Sequence, residues 1–151
     1  MIHIFGLVYF NAQGQMADSV FTSLEEALDQ PEYVKELYLK DKRLDGIHEA
    51  ILQFKHLKVL DLEGNSISVI PSWLTELQYL QNLNLGRNKI ADLPDFLWMM
   101  SNLKALGLNQ NKLNYLSKKI GRLKQLEYLD ISNNKIQKIP CQIGKLRNLI
   151  F

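Results

Sequence analysis

The side chains best suited to covalent or metal chemistry are few in this sequence: one cysteine, Cys141, and three histidines, His3, His48 and His56. A cysteine nucleophile needs an imidazole within hydrogen-bond reach and a third group to orient it, and these scattered residues offer no such pair. A lone cysteine also excludes an internal disulfide and a cysteine zinc site. The glycine-rich phosphate loop, the G-x-S-x-G elbow, the H-E-x-x-H helix and the paired CxxC are missing. Asp61 and Asp130 occupy corresponding positions of a regular pattern, three units apart. At about 4.8 Å per strand they stand about 14 Å apart, too far for a two-carboxylate mechanism. No catalytic residue, metal ligand or cofactor is assigned, which leaves recognition by a surface.

That surface is organised by a repeat. Searching for self-similarity comes first because a fixed period decides architecture before local propensity does. The stretch "LQNLNLGRNKIADLP", Leu80 to Pro94, recurs before and after itself with a period of 23, in units that begin at Val34, Leu57, Leu80, Leu103 and Leu126. A sixth begins at Leu149 and is cut off at 151. Leu57, Leu60, Leu62, Ile67, Ile70, Leu74 and Leu77 fall in register with Leu80, Leu83, Leu85, Ile90, Leu93, Leu97 and Met100. The L-x-L step has the period of two expected of a strand, and the later I-x-x-L-x-x-L spacing suits a helical or 3₁₀ turn. One unit has too little apolar surface to fold alone, so stacking must bury it, each leucine contributing roughly 1.5–3 kcal/mol. The residues between the buried leucines then face the other side of the sheet: Glu36, Tyr38 and Lys40; Val59, Asp61 and Glu63; Asn82, Asn84 and Arg87; Ala105, Gly107 and Asn109; Tyr128, Asp130 and Ser132.

With its 23-residue spacing and "IP" after the asparagine loop, the repeat resembles the leucine-rich repeat family over about three quarters of the chain. The resemblance implies an α/β solenoid, a right-handed coil or horseshoe segment with a parallel β-sheet on its concave face and short helical or 3₁₀ turns on its convex face. It also implies that Asn65, Asn88, Asn111 and Asn134 form a ladder of side-chain hydrogen bonds to the backbone of adjacent coils, a scaffold role rather than a binding one. In this family the concave face usually binds proteins, so the resemblance implies a non-enzymatic module for a protein partner. The alternative is the recognition fragment of a larger enzyme or receptor. Two units depart from the pattern: Lys42 stands where asparagine belongs, read as a solvent-facing edge feature, and Ser117 stands where others have Pro71, Pro94 and Pro140, read as a looser turn. His48 replaces the same proline in the first unit.

Outside the repeats, Ile2 to Phe10 is an apolar run of nine, too short for a membrane-spanning helix. It is read as a signal-peptide remnant over residues 1–12, with a leading β-strand as the alternative, so export is favoured and a cytoplasmic location stays open. Residues 13–33 are assigned to an N-terminal cap. Within it Ser23 and Glu26 have capping-box spacing, and Leu24, Ala27 and Leu28 line one side of a short helix that Pro31 stops. The lead-in also looks like that of repeat domains in exported bacterial proteins. The C-terminal end has no polar cap, which suggests a truncated chain or an end covered by a partner.

Charge is uneven although the net value is only +2: residues 1–33 hold five acids and no Lys or Arg, and residues 103–151 hold ten bases and two acids. A column of Arg43, Ser66, Lys89, Lys112 and Lys135 runs beside the sheet and is read as solvated loop. Nucleic acid is disfavoured as a partner, because the concave face has no stack of aromatic side chains for bases. Trp73, Phe96 and Trp98 belong to the convex turns, where partial burial is expected.

Overall fold

The computed structural model describes residues 19–150. Six short strands, β1 (Val20–Phe21), β2 (Glu36–Tyr38), β3 (Val59–Asp61), β4 (Asn82–Asn84), β5 (Ala105–Gly107) and β6 (Tyr128–Asp130), form one parallel sheet in sequence order. From β2 onward the register advances by one repeat per strand, pairing Leu37, Leu60, Leu83, Leu106 and Leu129 in a single row. This is the sheet of a leucine-rich solenoid. Each strand returns through a short 3₁₀ segment: Glu49–Gln53, Ser72–Glu76, Asp95–Met99, Lys118–Arg122 and Cys141–Lys145.

The core lies between these two layers. Leu37, Leu60, Leu83 and Leu106 are fully buried from the strand side, and Ile51, Leu74, Leu97 and Ile120 meet them from the 3₁₀ side. Among the convex aromatics, Trp73 and Phe96 are half-buried, but Trp98 is 1% exposed and belongs to the core. Its counterparts in adjacent units are Thr75 and Gly121, so the indole is a departure from the repeat. Among the described residues the Trp98 Nε1–H has no hydrogen-bond partner, so its burial stores an uncompensated desolvation cost.

The coils turn where the backbone takes left-handed values at Asp41, Gly64, Arg87, Gln110 and Asn133, all at the same position of their units. Only Gly64 is glycine there, and a side chain on it would run into the Asp41 carboxylate. The next residue in three of these turns is a buried asparagine. Asn65, Asn88 and Asn111 each accept through Oδ1 from a backbone N–H of the preceding coil, those of Leu44, Ile67 and Ile90, at 2.9 Å. Their Nδ2 atoms donate back to Leu39, Leu62 and Leu85 carbonyls at 2.8–3.0 Å. Asn134 repeats the pattern with Leu113 and Leu108 in a more exposed setting.

Pro71, Pro94 and Pro140 start their 3₁₀ segments from an extended backbone that proline favours. The units without proline keep that geometry by another route. Ser117 Oγ accepts from Lys119 N–H at 3.2 Å, and His48 Nδ1 accepts from Ala50 N–H at 3.1 Å. At φ −63° and ψ 142° Ser117 matches the prolines, so its turn is not looser as the sequence suggested.

At the N-terminal end α1 (Leu24–Leu28) is capped by Ser23, whose side chain accepts from Glu26 N–H at 3.5 Å, and it buries Ala27 against the first unit. β1 adds a strand to the sheet edge, pairing Val20 with Glu36 and Phe21 with Leu37. The apolar run at Ile2–Phe10, and with it the choice between signal remnant and leading strand, lies outside the described residues.

Asn111→Ala leaves the buried Ile90 N–H without its partner and takes one of two donors from each of the Leu85 and Leu108 carbonyls, which keep Asn88 and Asn134, and a loss of roughly 1–3 kcal/mol is expected by chemical denaturation, with a smaller loss for Asn134→Ala where water replaces the amide. Ser117→Ala, which removes the cap, is expected to cost about 1 kcal/mol. In a thermal melt Ser117→Pro should stay close to wild type, because the lost cap is offset by roughly 0.4–1 kcal/mol from a stiffer unfolded chain.

Candidate functional site

A groove of about 420 Å³ runs across the sheet on the face opposite the core. Its walls come from five consecutive strands and the residues just after them, because alternate residues of a strand point to opposite sides. Tyr38, Val59, Asp61, Glu63, Asn82, Asn84, Asn109, Tyr128 and Asp130 all line it. Ala105 and Gly107 supply its floor at β5, and the backbone of Leu60 and Leu83 passes beneath. Glu36, Lys40, Arg87 and Ser132 lie outside the lining.

The polar side chains at the N-terminal end hold one another in place. Glu63 is the hub: Lys40 Nζ donates to its Oε2 at 3.0 Å, Asn84 Nδ2 donates to the same oxygen at 3.2 Å, and Arg87 reaches Oε1 at 3.7 Å. The Lys40 hydrogen bond, opposed by partial burial and reinforced by Asn84 and Arg87, holds the Glu63 carboxyl below the usual carboxylate range. The same bond raises the Lys40 ammonium pKa. Tyr38 donates its phenol proton to Glu36 Oε2 at 2.8 Å, and this bond, with some burial and the nearby carboxylates, raises the phenol pKa.

Arg87 is one residue past the strand column in which spacing placed it. The strand position belongs to Gly86, and Arg87 occupies the left-handed turn, from which its guanidinium bridges Glu63 and, at 3.5 Å, Asp41. Asp41 was not foreseen as part of this group, although counting back two repeats from Arg87 leads to it.

One row of the face serves the backbone as well as the groove. Asp61, Asn84 and Asp130 each accept through Oδ1 from the N–H two residues on, in Glu63, Gly86 and Ser132, at 2.9, 3.1 and 3.0 Å. Gly107 occupies the same row, and Asn84 Oδ1 lies over it where a side chain would otherwise stand.

Beside the sheet, the backbones of Ser66, Lys89, Lys112 and Lys135 donate to the preceding coil at 2.7–2.8 Å. The lysine side chains are exposed, and none pairs with a carboxylate among the described residues. Among those residues there is also no cluster of three potential metal ligands, and no helix is long and apolar enough to cross a membrane. Cys141 is an exposed thiol at the start of the last 3₁₀ segment.

Because folding lowers the Glu63 pKa, the Glu63–Lys40 interaction stabilises the fold above the ordinary carboxylate pKa and fades as pH falls through the lowered value. Glu63→Gln is expected to cost up to about 1 kcal/mol at neutral pH. In urea titrations at a series of pH values, that difference should vanish on acidification.

The "Leucine rich repeat" family model matches residues 32–90 and 78–136. No curated protein matches the chain. Among solved structures, a leucine-rich repeat protein of Leptospira interrogans is 38% identical with a TM-score of 0.80, over 85% of this chain and 33% of that one. The ectodomain of a plant membrane receptor kinase from Arabidopsis thaliana, solved in complex with Casparian strip integrity factor 2, is 29% identical with a TM-score of 0.71, over 86% of this chain and 16% of that one. An internalin of Listeria monocytogenes is 27% identical with a TM-score of 0.69, over 85% and 37%. The chain thus spans well under half the length of each of these. The family model covers the same coils that carry the asparagine ladder and the groove, and the chain belongs to the leucine-rich repeat family.

Proposed function

We propose that this chain is a non-enzymatic recognition module that holds a protein partner in the groove over its sheet. The observation that carries the reading is the groove itself, built from corresponding positions of successive strands. Scaffold hydrogen bonds fix several of its walls before any partner arrives. Asp61, Asn84 and Asp130 are tied to the backbone, and Glu63 is held by Lys40 and Asn84. Side chains already ordered lose little freedom on binding, so more of the contact energy remains as affinity. The family's fold is typical of protein–protein interaction modules, and the Arabidopsis receptor ectodomain was solved in complex with a named factor.

A photo-crosslinking residue placed at Asn82, on the groove, is expected to capture a partner from the source cells, whereas the same residue at Met99, exposed on the convex side, is not. Capture at Met99 alone would move the binding face off the sheet.

A further inference from the structure

The groove is acidic on a chain that is basic overall. Of 18 Lys and Arg residues none lines it, whereas Asp61, Glu63 and Asp130 do. Glu63 is already matched by Lys40 and Arg87. Asp61 and Asp130 have no cation within ion-pair distance among the described residues. Each spends Oδ1 on a backbone N–H, which sets the orientation of the carboxylate and leaves Oδ2 without a hydrogen bond among the described residues.

Their spacing selects a ligand. They stand at the same register position of β3 and β6. Three strand spacings put them about 14 Å apart. A peptide in extended conformation advances about 3.3 Å per residue and returns side chains to one face at even intervals, so residues i and i+4 are about 13 Å apart on the same face. Between the two carboxylates the floor is low at Ala105, with the Asn84 amide lying over Gly107, and exposed Tyr128, two residues before Asp130 on β6, adds an aromatic side chain to that end of the groove.

We infer that the partner enters the groove as an extended segment carrying two Lys or Arg side chains four residues apart, one paired with Asp61 and the other with Asp130. This rests on the groove being the binding face.

The test uses labelled nine-residue Gly/Ser peptides with lysines at i and i+4, at i and i+3, or absent, measured by fluorescence anisotropy against the full chain at low and moderate salt. The i, i+4 peptide should bind tightest and weaken as salt rises. Asp61→Asn and Asp130→Asn are suitable variants, because Asn84 in the same row makes the same backbone contact through its own Oδ1. Each should weaken that peptide by up to about fivefold, the range of a partly exposed ion pair, and leave the lysine-free peptide unchanged. Equal binding of all three peptides to the wild-type chain would overturn the inference without any variant. So would equal binding of the i, i+4 peptide to wild type and to the double variant, or spermine binding as tightly as that peptide. A partner crosslinked at Asn82 through a segment without two such basic residues would overturn the inference and leave the groove as binding face. Capture at Met99 alone would overturn both.

Discussion

Every coil of this chain must close its turn with backbone groups facing the interior, and the asparagine ladder meets that constraint. An unpaired buried amide or carbonyl costs roughly 1–3 kcal/mol, and each turn presents several. One asparagine side chain supplies an acceptor for the coil before it and donors for carbonyls of both coils. Because these bonds join residues 21 and 26 apart, they tie each turn to the coil before it.

The constant register has a consequence for the other face. Residues at one position of the unit are stacked at strand spacing, so their chemistry is read as a column. One column combines Tyr38, Asp61, Asn84, Gly107 and Asp130, and it serves two ends: short polar side chains bind the backbone two residues on, and the same side chains line the groove. Glycine at the fourth place follows from asparagine at the third, since Asn84 leans over Gly107. A basic chain thereby presents an acidic groove, with its unpaired cations on loops and convex turns. Spatial separation of charge at this scale favours a partner of opposite sign, because interactions within a Debye length of about 10 Å are the least screened.

The convex side shows how much variation a fixed geometry tolerates. Proline, serine and histidine all begin the 3₁₀ segments, one by its ring constraint and two by a side-chain acceptor. The backbone angles are the requirement, and residue type is one of several ways to satisfy it. Trp98 is the opposite case, in which one unit buries a large side chain that its neighbours lack, at the cost of an indole N–H unpaired among the described residues.

Period and residue type alone determined the strand centres, the core leucines and the cap helix at Ser23, and the family resemblance that they carry implied the parallel sheet. These follow from spacing because each unit repeats the local geometry of the one before. The sequence did not determine which polar residues on the face opposite the core are committed to one another. Lys40, Asn84 and Arg87 lie 21 to 24 residues from Glu63, and their pairing depends on how far each side chain reaches across stacked strands. The same holds for Val20–Phe21, two residues whose strand exists only because β2 offers an open edge. It holds again for Trp98, buried or exposed according to the neighbours stacking provides. Periodicity decides what recurs, and packing between coils decides what each departure from it becomes.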